Sequence, residues 1–314
     1  MKNPPRSGLS ILVLAFISLH TAAAHGTSKS PNINSEFWKF WGDGQAEVAG
    51  YQLELNRYGE KRVGQAVTIF VTETFGHEHH VKVDRPTPGP QYPVMKLNLI
   101  RDFQTGIYDY NTMLSAFVSL EQSAGIARGA PTKISFGSQE WCGQVYHQLL
   151  FEPGRAHETI HSYFDTEGDQ ERSIEVPGDA LSEDILWHWA RKLASPVLNP
   201  GESMTLPLLP SLYGARLNHR KLALGRVTVS RASQTTSIEV DAGRFEVERV
   251  RAFIEGGARW EFEVEVAHPH RIIRWHNDRG EKATLRGAER MAYWKLNGPD
   301  GAKRLKALGI APLP

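Results

Sequence analysis

QAEVAGYQLELNRYGEKRVGQAVTIFVTETF, residues 45–75, shows most clearly which fold class the chain adopts. Apolar and polar residues alternate along 45–58, which is the period of a half-buried strand. The segment YGEKR supplies a turn, and residues 63–75 form a second run that is rich in β-branched side chains. The stretch therefore predicts a long antiparallel hairpin.

The hairpin pattern continues on the C-terminal side of this stretch. Residues 94–104 and 107–121 flank a TG turn, 132–151 contain two runs, and 157–165 and 171–176 flank the turn EGDQ. Further strands are predicted at 203–209, 215–231, 236–241, 244–254, 258–267, 270–277 and 281–287. The chain is therefore predicted to fold mainly as antiparallel β-structure.

One helix is predicted to interrupt the strands, at residues 177–194. The three- and four-residue spacing of an amphipathic helix is followed by Leu181, Ile185, Leu186, Trp189 and Leu193. Because long hairpins twist and curl, we expect the strands to form a half-barrel, a barrel or a two-lobed clam, with this helix interrupting them.

The N-terminal residues predict export. Lys2 and Arg6 precede an apolar run at 9–19, and Ala22 and Ala24 show the small-x-small pattern of a signal peptidase site. The run is shorter than the roughly 20 residues that a membrane-spanning helix needs. We therefore expect residues 1–24 to be a signal peptide cleaved near Ala24, and a periplasmic or extracellular protein without a transmembrane segment.

The rest of the chain is expected to divide into five segments. These are a disordered leader at 25–35, an N-terminal β lobe at 36–176, a helix and linker at 177–202, a C-terminal β lobe at 203–298 and a tail at 299–314.

Charge and cysteine content narrow the function classes. The 36 lysines and arginines nearly balance 35 acidic residues, which argues against a nucleic-acid partner. The single cysteine, Cys142, leaves no partner for an intramolecular disulfide. We expect Cys142 to be buried and inert, because a reactive thiol in an exported protein oxidises readily.

Two C-terminal stretches carry a resemblance to known sequences. IEVDAGRFEVERV (238–250) and ARWEFEVEVAHPHRIIRWHNDRG (258–280) resemble the C-terminal pattern of a family of exported bacterial β-rich proteins of unknown function. Residues 51–75 and 94–113 are similar to its companion half. The resemblance covers most of residues 40–298. It implies a curled, antiparallel envelope protein, without a reaction or catalytic residues.

Some relatives in that family carry the label septum formation inhibitor Maf. Maf-type pyrophosphatases are α/β proteins with an S-x-S-P-R-R-like stretch near the start. This chain has a predicted signal peptide there and hairpins throughout, so the label does not fit it.

GHEHHVKVD, residues 76–84, is the candidate metal site. Neutral imidazoles suit zinc and copper, so His77, His79 and His80 are candidate ligands. On an extended strand His77 and His79 would share a face while His80 points away, and no HExxH or CxxC motif accompanies them. The favoured interpretation is a solvated strand end without a cofactor.

Two aromatic stretches contain candidate ligand contacts. EFWKFW (36–41) includes Trp38 and Trp41, which predict either an aromatic plug under the sheet or a contact with a ligand or a membrane interface. In AHPHRIIRWHND (267–278), Arg271, Arg274 and Trp275 are candidates for a groove that binds an anion or a sugar.

These observations favour a non-enzymatic binding or scaffold protein of the cell envelope, with an apolar or glycan ligand. Serine triads, P-loops and Rossmann glycine motifs are absent from the sequence. The alternative is an exported hydrolase or metalloprotein that uses zinc or copper at the GHEHH cluster.

Overall fold

The computed structural model describes Met1 and residues 29–85, 88–123 and 125–311. The predicted signal peptide beyond Met1 and the first part of the predicted leader lie outside the described residues. From Lys29 the leader is attached to the fold, since Val197 N donates to Lys29 O at 2.8 Å and Pro31 is buried.

Sixteen strands make up most of the described residues, which confirms the prediction of a mainly antiparallel β-fold. They are β1 Ala46–Arg57, β2 Glu60–Gly76, β3 Val81–Lys82, β4 Gln91–Thr105, β5 Tyr108–Ser119, β6 Pro131–Glu140, β7 Gly143–Glu152, β8 Arg155–Ser162, β9 Gln170–Glu175, β10 Leu181–Ser182, β11 Ser203–Leu209, β12 Gly225–Val240, β13 Gly243–Ile254, β14 Arg259–Glu265, β15 Ile272–Asn277 and β16 Lys282–Met291.

Six short helices accompany the strands in the described residues. Three are α-helices: α1 Ser35–Trp41, α2 Leu186–Ala190 and α3 Leu212–Asn218. Three are 3₁₀ helices: Glu183–Ile185, Tyr293–Lys295 and Pro299–Leu308. No helix among the described residues is long and apolar enough to cross a membrane.

All sixteen strands belong to one sheet. Its order is β10-β11-β12-β13-β14-β15-β16-β1-β2-β4-β5-β6-β7-β8-β9, with β3 paired to β2. Because β16 pairs with β1, the two predicted lobes are joined in a single sheet. Only β10 and β11 run parallel. The edges β9 and β10 do not pair with each other, so the predicted alternative of a closed barrel is wrong.

The sheet is strongly curved around α2. Arg231 of β12 donates to Ala190 O at 3.1 Å, and His188 Nε2 lies 3.2 Å from Met95 O of β4. β12 and β4 are seven strand steps apart, which would be roughly 34 Å in a flat sheet. Two such distant strands touch one five-residue helix only because the sheet curls and holds the helix on its concave side.

The hairpin predicted from residues 45–75 is present in the structure. Tyr58 and Gly59 join β1 to β2 with φ of 56° and 75°, the left-handed values that a tight two-residue hairpin turn requires. Arg57 pairs with Glu60, and the ladder continues to Glu47 opposite Phe70.

The predicted helix at 177–194 is much shorter in the structure. Leu181–Ser182 is strand β10, Glu183–Ile185 is a 3₁₀ helix, and only Leu186–Ala190 is α-helical. All five residues of α2 are buried, so its apolar spacing reflects burial on every side instead of one face of a longer surface helix.

The predicted strand at 215–231 is also partly wrong. Its first residues lie in α3, and β12 begins only at Gly225. The Ser211 hydroxyl accepts a hydrogen bond from Gly214 N at 3.3 Å, which caps the N-terminus of α3.

Candidate ligand cavity

A cavity of about 130 Å³ lies inside the curled sheet, beside α2 and α3. Its walls come from strands that are far apart in the sequence. They include Arg101 of β4, Trp260 of β14 and Tyr213 of α3. Asn56, Asn218 and Arg279, which are exposed, also line it and bring it to the surface.

Arg101 and Glu281 form a buried ion pair in the cavity wall. Arg101 Nε and Nη2 donate to Glu281 Oε1 at 3.2 and 2.9 Å, and Trp275 Nε1 donates to the same oxygen at 2.9 Å. The guanidinium lies over the rings of Trp187 and Tyr213, at 5.5 and 4.8 Å from their centroids. Burial alone would lower the pKa of Arg101, but Glu281 raises it, so the cation persists.

Glu183 and Asp184 are two further carboxylates at the cavity. Trp260 Nε1 and Ser211 N donate to the two oxygens of Glu183 at 2.8 and 3.1 Å. The Ser211 hydroxyl and Leu212 N donate to Asp184 at 2.6 and 2.9 Å. Both acids therefore connect the 3₁₀ helix Glu183–Ile185 to the start of α3.

Burial alters the protonation of these acids. It raises the pKa of Asp184 to about 6, although the hydrogen bonds from Leu212 and Ser211 oppose the shift. Burial also raises the pKa of Glu183 above its ordinary value. Groups with shifted pKa values that gather at a cavity are typical of functional sites.

One residue that lines the cavity carries a buried donor without a protein partner. Trp187 Nε1 is buried and makes no hydrogen bond in the described part of the chain. Buried polar groups in native proteins almost always have a partner, so an unpaired donor on a residue that lines a cavity indicates a place for a polar atom of a ligand or water. The cavity thus combines donors, acceptors and aromatic walls.

The predicted metal ligands lie in a turn. β2 ends at Gly76, and residues 77–80 turn away, with His80 at φ 47°. His77 and His80, predicted on opposite faces, have ring centroids 6.4 Å apart, whereas exposed His79 lies 3.7 Å from Glu78. The reason is that the extended strand stops before His77.

Each of the two neighbouring imidazoles has one ring nitrogen that is hydrogen-bonded to a hydroxyl group. His77 Nε2 is 2.9 Å from Ser123 Oγ, and His80 Nδ1 is 2.6 Å from Tyr92 OH. Within the described residues, no group of three or more His, Cys, Asp or Glu side chains could hold a metal ion.

The predicted aromatic ligand contacts are placed in different surroundings. Trp41 and Trp275 are buried in the main core, and Trp38 is partly exposed on α1. The alternative of an aromatic plug agrees with the burial of Trp41, whose ring centroid lies 6.4 Å from that of Phe37. Trp275 reaches the candidate cavity only through its hydrogen bond to Glu281.

The two predicted arginines are engaged in ion pairs. Arg271 donates twice to Glu265, at 2.8 and 3.0 Å, and Arg274 lies 3.1 Å from Glu263. The structure places neither of them at the cavity.

Cys142 is exposed, so the prediction of a buried thiol is wrong. It lies in the tight turn between β6 and β7, where a side chain has no sheet to pack against. Its backbone N–H donates to Glu140 Oε2 at 2.7 Å, and the hydrogen bond to Glu140 raises the pKa of the thiol.

Sequence reasoning did not single out the cavity acids or Arg101. A signal for Arg101 was present, because Leu97, Leu99 and Phe103 share its parity on β4 and all are buried. A charged residue at an inward position of an alternating strand indicates a buried pair.

Comparisons with known proteins add no relative. No family model matches the chain, and neither a curated protein nor a solved structure matches it. The resemblance to exported bacterial β-proteins therefore stays a prediction.

Proposed function

We propose that the chain is an exported, non-enzymatic binding protein whose cavity takes a small hydroxyl-rich ligand of the glycan class. The observation that carries this proposal is the unpaired Nε1 donor of Trp187, a residue that lines the same cavity as the carboxylates of Glu183, Asp184 and Glu281. Export rests on the N-terminal sequence pattern.

Hydroxyl groups suit this combination because each can both donate and accept a hydrogen bond. Trp187 Nε1 would donate to the ligand, and the Glu281 carboxylate, held by Arg101, would accept from it. Glu183 and Asp184 each hold two protein donors, which favours a structural role for them over acid–base catalysis.

The size of the cavity limits the ligand. Most small-molecule sites enclose roughly 300–1,000 Å³. The cavity of about 130 Å³ lies below this range, so we propose that it takes no more than one sugar-sized unit.

Calorimetric titration of the full chain with glucose, galactose, mannose and N-acetylglucosamine tests the proposal. We expect at least one sugar to bind, and Trp187→Phe to weaken it about tenfold, because one hydrogen bond to a buried donor is lost. Tyr213→Phe removes one cavity hydroxyl with minimal change of shape. It replaces Trp187→Phe as the test variant if Trp187→Phe does not fold.

The matched control is Trp294→Phe, since Trp294 is exposed and lies outside the cavity. Thermal unfolding followed by circular dichroism shows that each variant is folded. The proposal is wrong if none of the four sugars binds, or if both cavity variants bind as tightly as the parent.

An apolar groove supports a second candidate, a linear alkyl ligand with a carboxylate head. The groove of about 350 Å³ lies between the 3₁₀ helix Pro299–Leu308 and the outer face of the sheet. Val67, Ile69 and Leu305 line it, with Arg304 as its cation. It ranks second because its lining has few converging polar groups.

Displacement of a fluorescent apolar dye by a C12 fatty acid tests this candidate. Leu305→Arg should abolish dye binding, whereas Lys303→Ala, whose ion pair is with Asp300, should leave it unchanged. Equal dye binding in both variants would rule the groove out.

The metal alternative at His77, His79 and His80 stays a prediction. Metal analysis of the purified protein tests it. Stoichiometric zinc or copper that is lost in a triple alanine variant would favour the metalloprotein hypothesis.

A further inference from the structure

Exposed apolar side chains gather at one end of the sheet. The β1–β2, β4–β5 and β6–β7 turns and the β8–β9 loop lie at the same end, because these strands alternate in direction. Tyr58, Ile107, Trp141 and Tyr163 are 59, 79, 69 and 66% exposed there. We call Tyr58, Tyr108, Trp141 and Tyr163 the aromatic rim.

The rim is continuous from turn to turn. The hydroxyls of Tyr58 and Tyr110 are 2.7 Å apart, and the Tyr108 ring lies 5.9 Å from Tyr110 and 6.3 Å from Trp141. Tyr163 lies so close to the next turn that a Cβ on Gly143 would be 2.6 Å from its ring. Aromatic side chains therefore follow one another across four hairpin ends.

Residues near both ends of the rim connect it to the cavity. Asn56 lines the cavity and lies two residues before Tyr58. At the other end, Phe164, next to Tyr163, has its ring 4.1 Å from the guanidinium carbon of Arg216 in α3. Helix α3 also supplies Tyr213 to the cavity wall, so neighbours of the rim residues connect the rim to the cavity lining at both ends.

We propose that the rim is the outer part of the same site and that the ligand is a glycan chain. One unit occupies the cavity, and the following units stack on the rim rings. This inference rests on the proposed function. Tyr and Trp present flat apolar faces together with polar edges, which matches a sugar ring with its apolar face and peripheral hydroxyls.

Charge favours a glycan over a lipid surface. Three of the four hairpin ends also carry an exposed carboxylate: Glu60, Asp109 and Asp165 lie beside the rim residues. These acids would be repelled by anionic lipid headgroups, whereas neutral sugar hydroxyls can donate hydrogen bonds to them.

Calorimetric titration with oligomers of one to four units tests the inference, with β-1,4-linked glucose and N-acetylglucosamine as the two series. We expect the affinity to rise about tenfold between one and three units. Trp141→Ala should abolish this rise and leave the affinity for the single unit unchanged. Trp294→Ala, at an exposed tryptophan outside the rim, should keep the rise.

The outcomes separate the two proposals. A single sugar that binds with no gain from added units, or a gain that survives Trp141→Ala, overturns the inference and leaves the cavity function intact. If no sugar of any length binds, the cavity function and the inference fail together. The rim would instead be assigned to a lipid surface by two results together. The protein would sediment with phosphatidylcholine vesicles unless it carries Trp141→Ala, and its affinity for glycans would not depend on their length.

Discussion

Gly50 and Gly287 face each other across β1 and β16, and the C-terminal 3₁₀ helix lies against both. A Cβ on Gly50 would be 2.2 Å from Leu308 O, and one on Gly287 would be 2.1 Å from Ala307 O. Real Cβ atoms almost never approach another atom within 3.0 Å. Two paired glycines thus allow the helix Pro299–Leu308 to pack on the sheet.

Gly287→Ala should displace this helix. We expect the free energy of unfolding to fall by about 1–3 kcal/mol, the usual result of forcing atoms into a packed contact. Urea unfolding measures the change. Gly137→Ala is the control, because Gly137 lies inside β6 with no atom within 4 Å of its added Cβ. Equal effects of the two substitutions would contradict the packing argument.

Arg101→Ala should be among the most destabilising changes in the cavity. It leaves the buried Glu281 carboxylate without its cation, and breaking a buried pair costs about 3–5 kcal/mol. Arg244→Ala, which removes an exposed pair with Glu239, should change the free energy of unfolding by less than about 1 kcal/mol.

Chemical denaturation of both variants distinguishes these outcomes. A double variant, Arg101→Met with Glu281→Leu, should recover much of the lost stability because neither charge is then buried alone. If Arg101→Ala proves as mild as Arg244→Ala, the pair does not contribute to stability as its burial implies.

Strand positions were largely predictable because alternation records which face is buried. The predicted strands 45–58 and 63–75 match Ala46–Arg57 and Glu60–Gly76 closely. Curvature was predicted only as a set of alternatives, since alternation within a strand is the same in an open sheet and in a closed barrel. The open edges follow from pairings between strands that local sequence does not specify.

The cavity could not be predicted because its parts are distant in sequence. Arg101 and Glu281 are separated by 180 positions, and only the curl of the sheet brings them together. The helix prediction at 177–194 failed for a related reason: the apolar spacing of α2 is explained by contacts with strands on several sides. The local sequence pattern therefore identifies strands and helices, but it does not show which residues line the cavity between them.

Cys142 should react slowly for an exposed thiol. Its hydrogen bond to Glu140 raises the thiol pKa, and the thiolate is the reacting species. Glu140→Gln should shift the midpoint of the pH–rate profile for a disulfide reagent downward and increase the rate at pH 7.5 severalfold. Glu171→Gln, at an exposed acid on β9, is the control. An unchanged midpoint in Glu140→Gln would show that this carboxylate does not govern the thiol.

Asp184 should make stability depend on pH. Burial raises its pKa to about 6 from an ordinary value of 3.8, so the folded protein holds the proton more tightly than the unfolded chain. The contribution of this group to the free energy of unfolding is therefore fully present below about pH 4 and is lost as the pH rises through about 6. The difference corresponds to about 2–3 kcal/mol.

Comparison of the parent with Asp184→Asn isolates this effect, since the amide stays neutral at every pH and keeps one acceptor oxygen. The stability of the variant relative to the parent should rise by about 2–3 kcal/mol between pH 4 and pH 7, as the parent acid ionises. Urea unfolding at half-unit pH intervals measures this difference, and Asp179→Asn, at an exposed aspartate, controls for the loss of one carboxylate. A difference that does not change with pH would mean that Asp184 ionises as readily in the fold as in the unfolded chain.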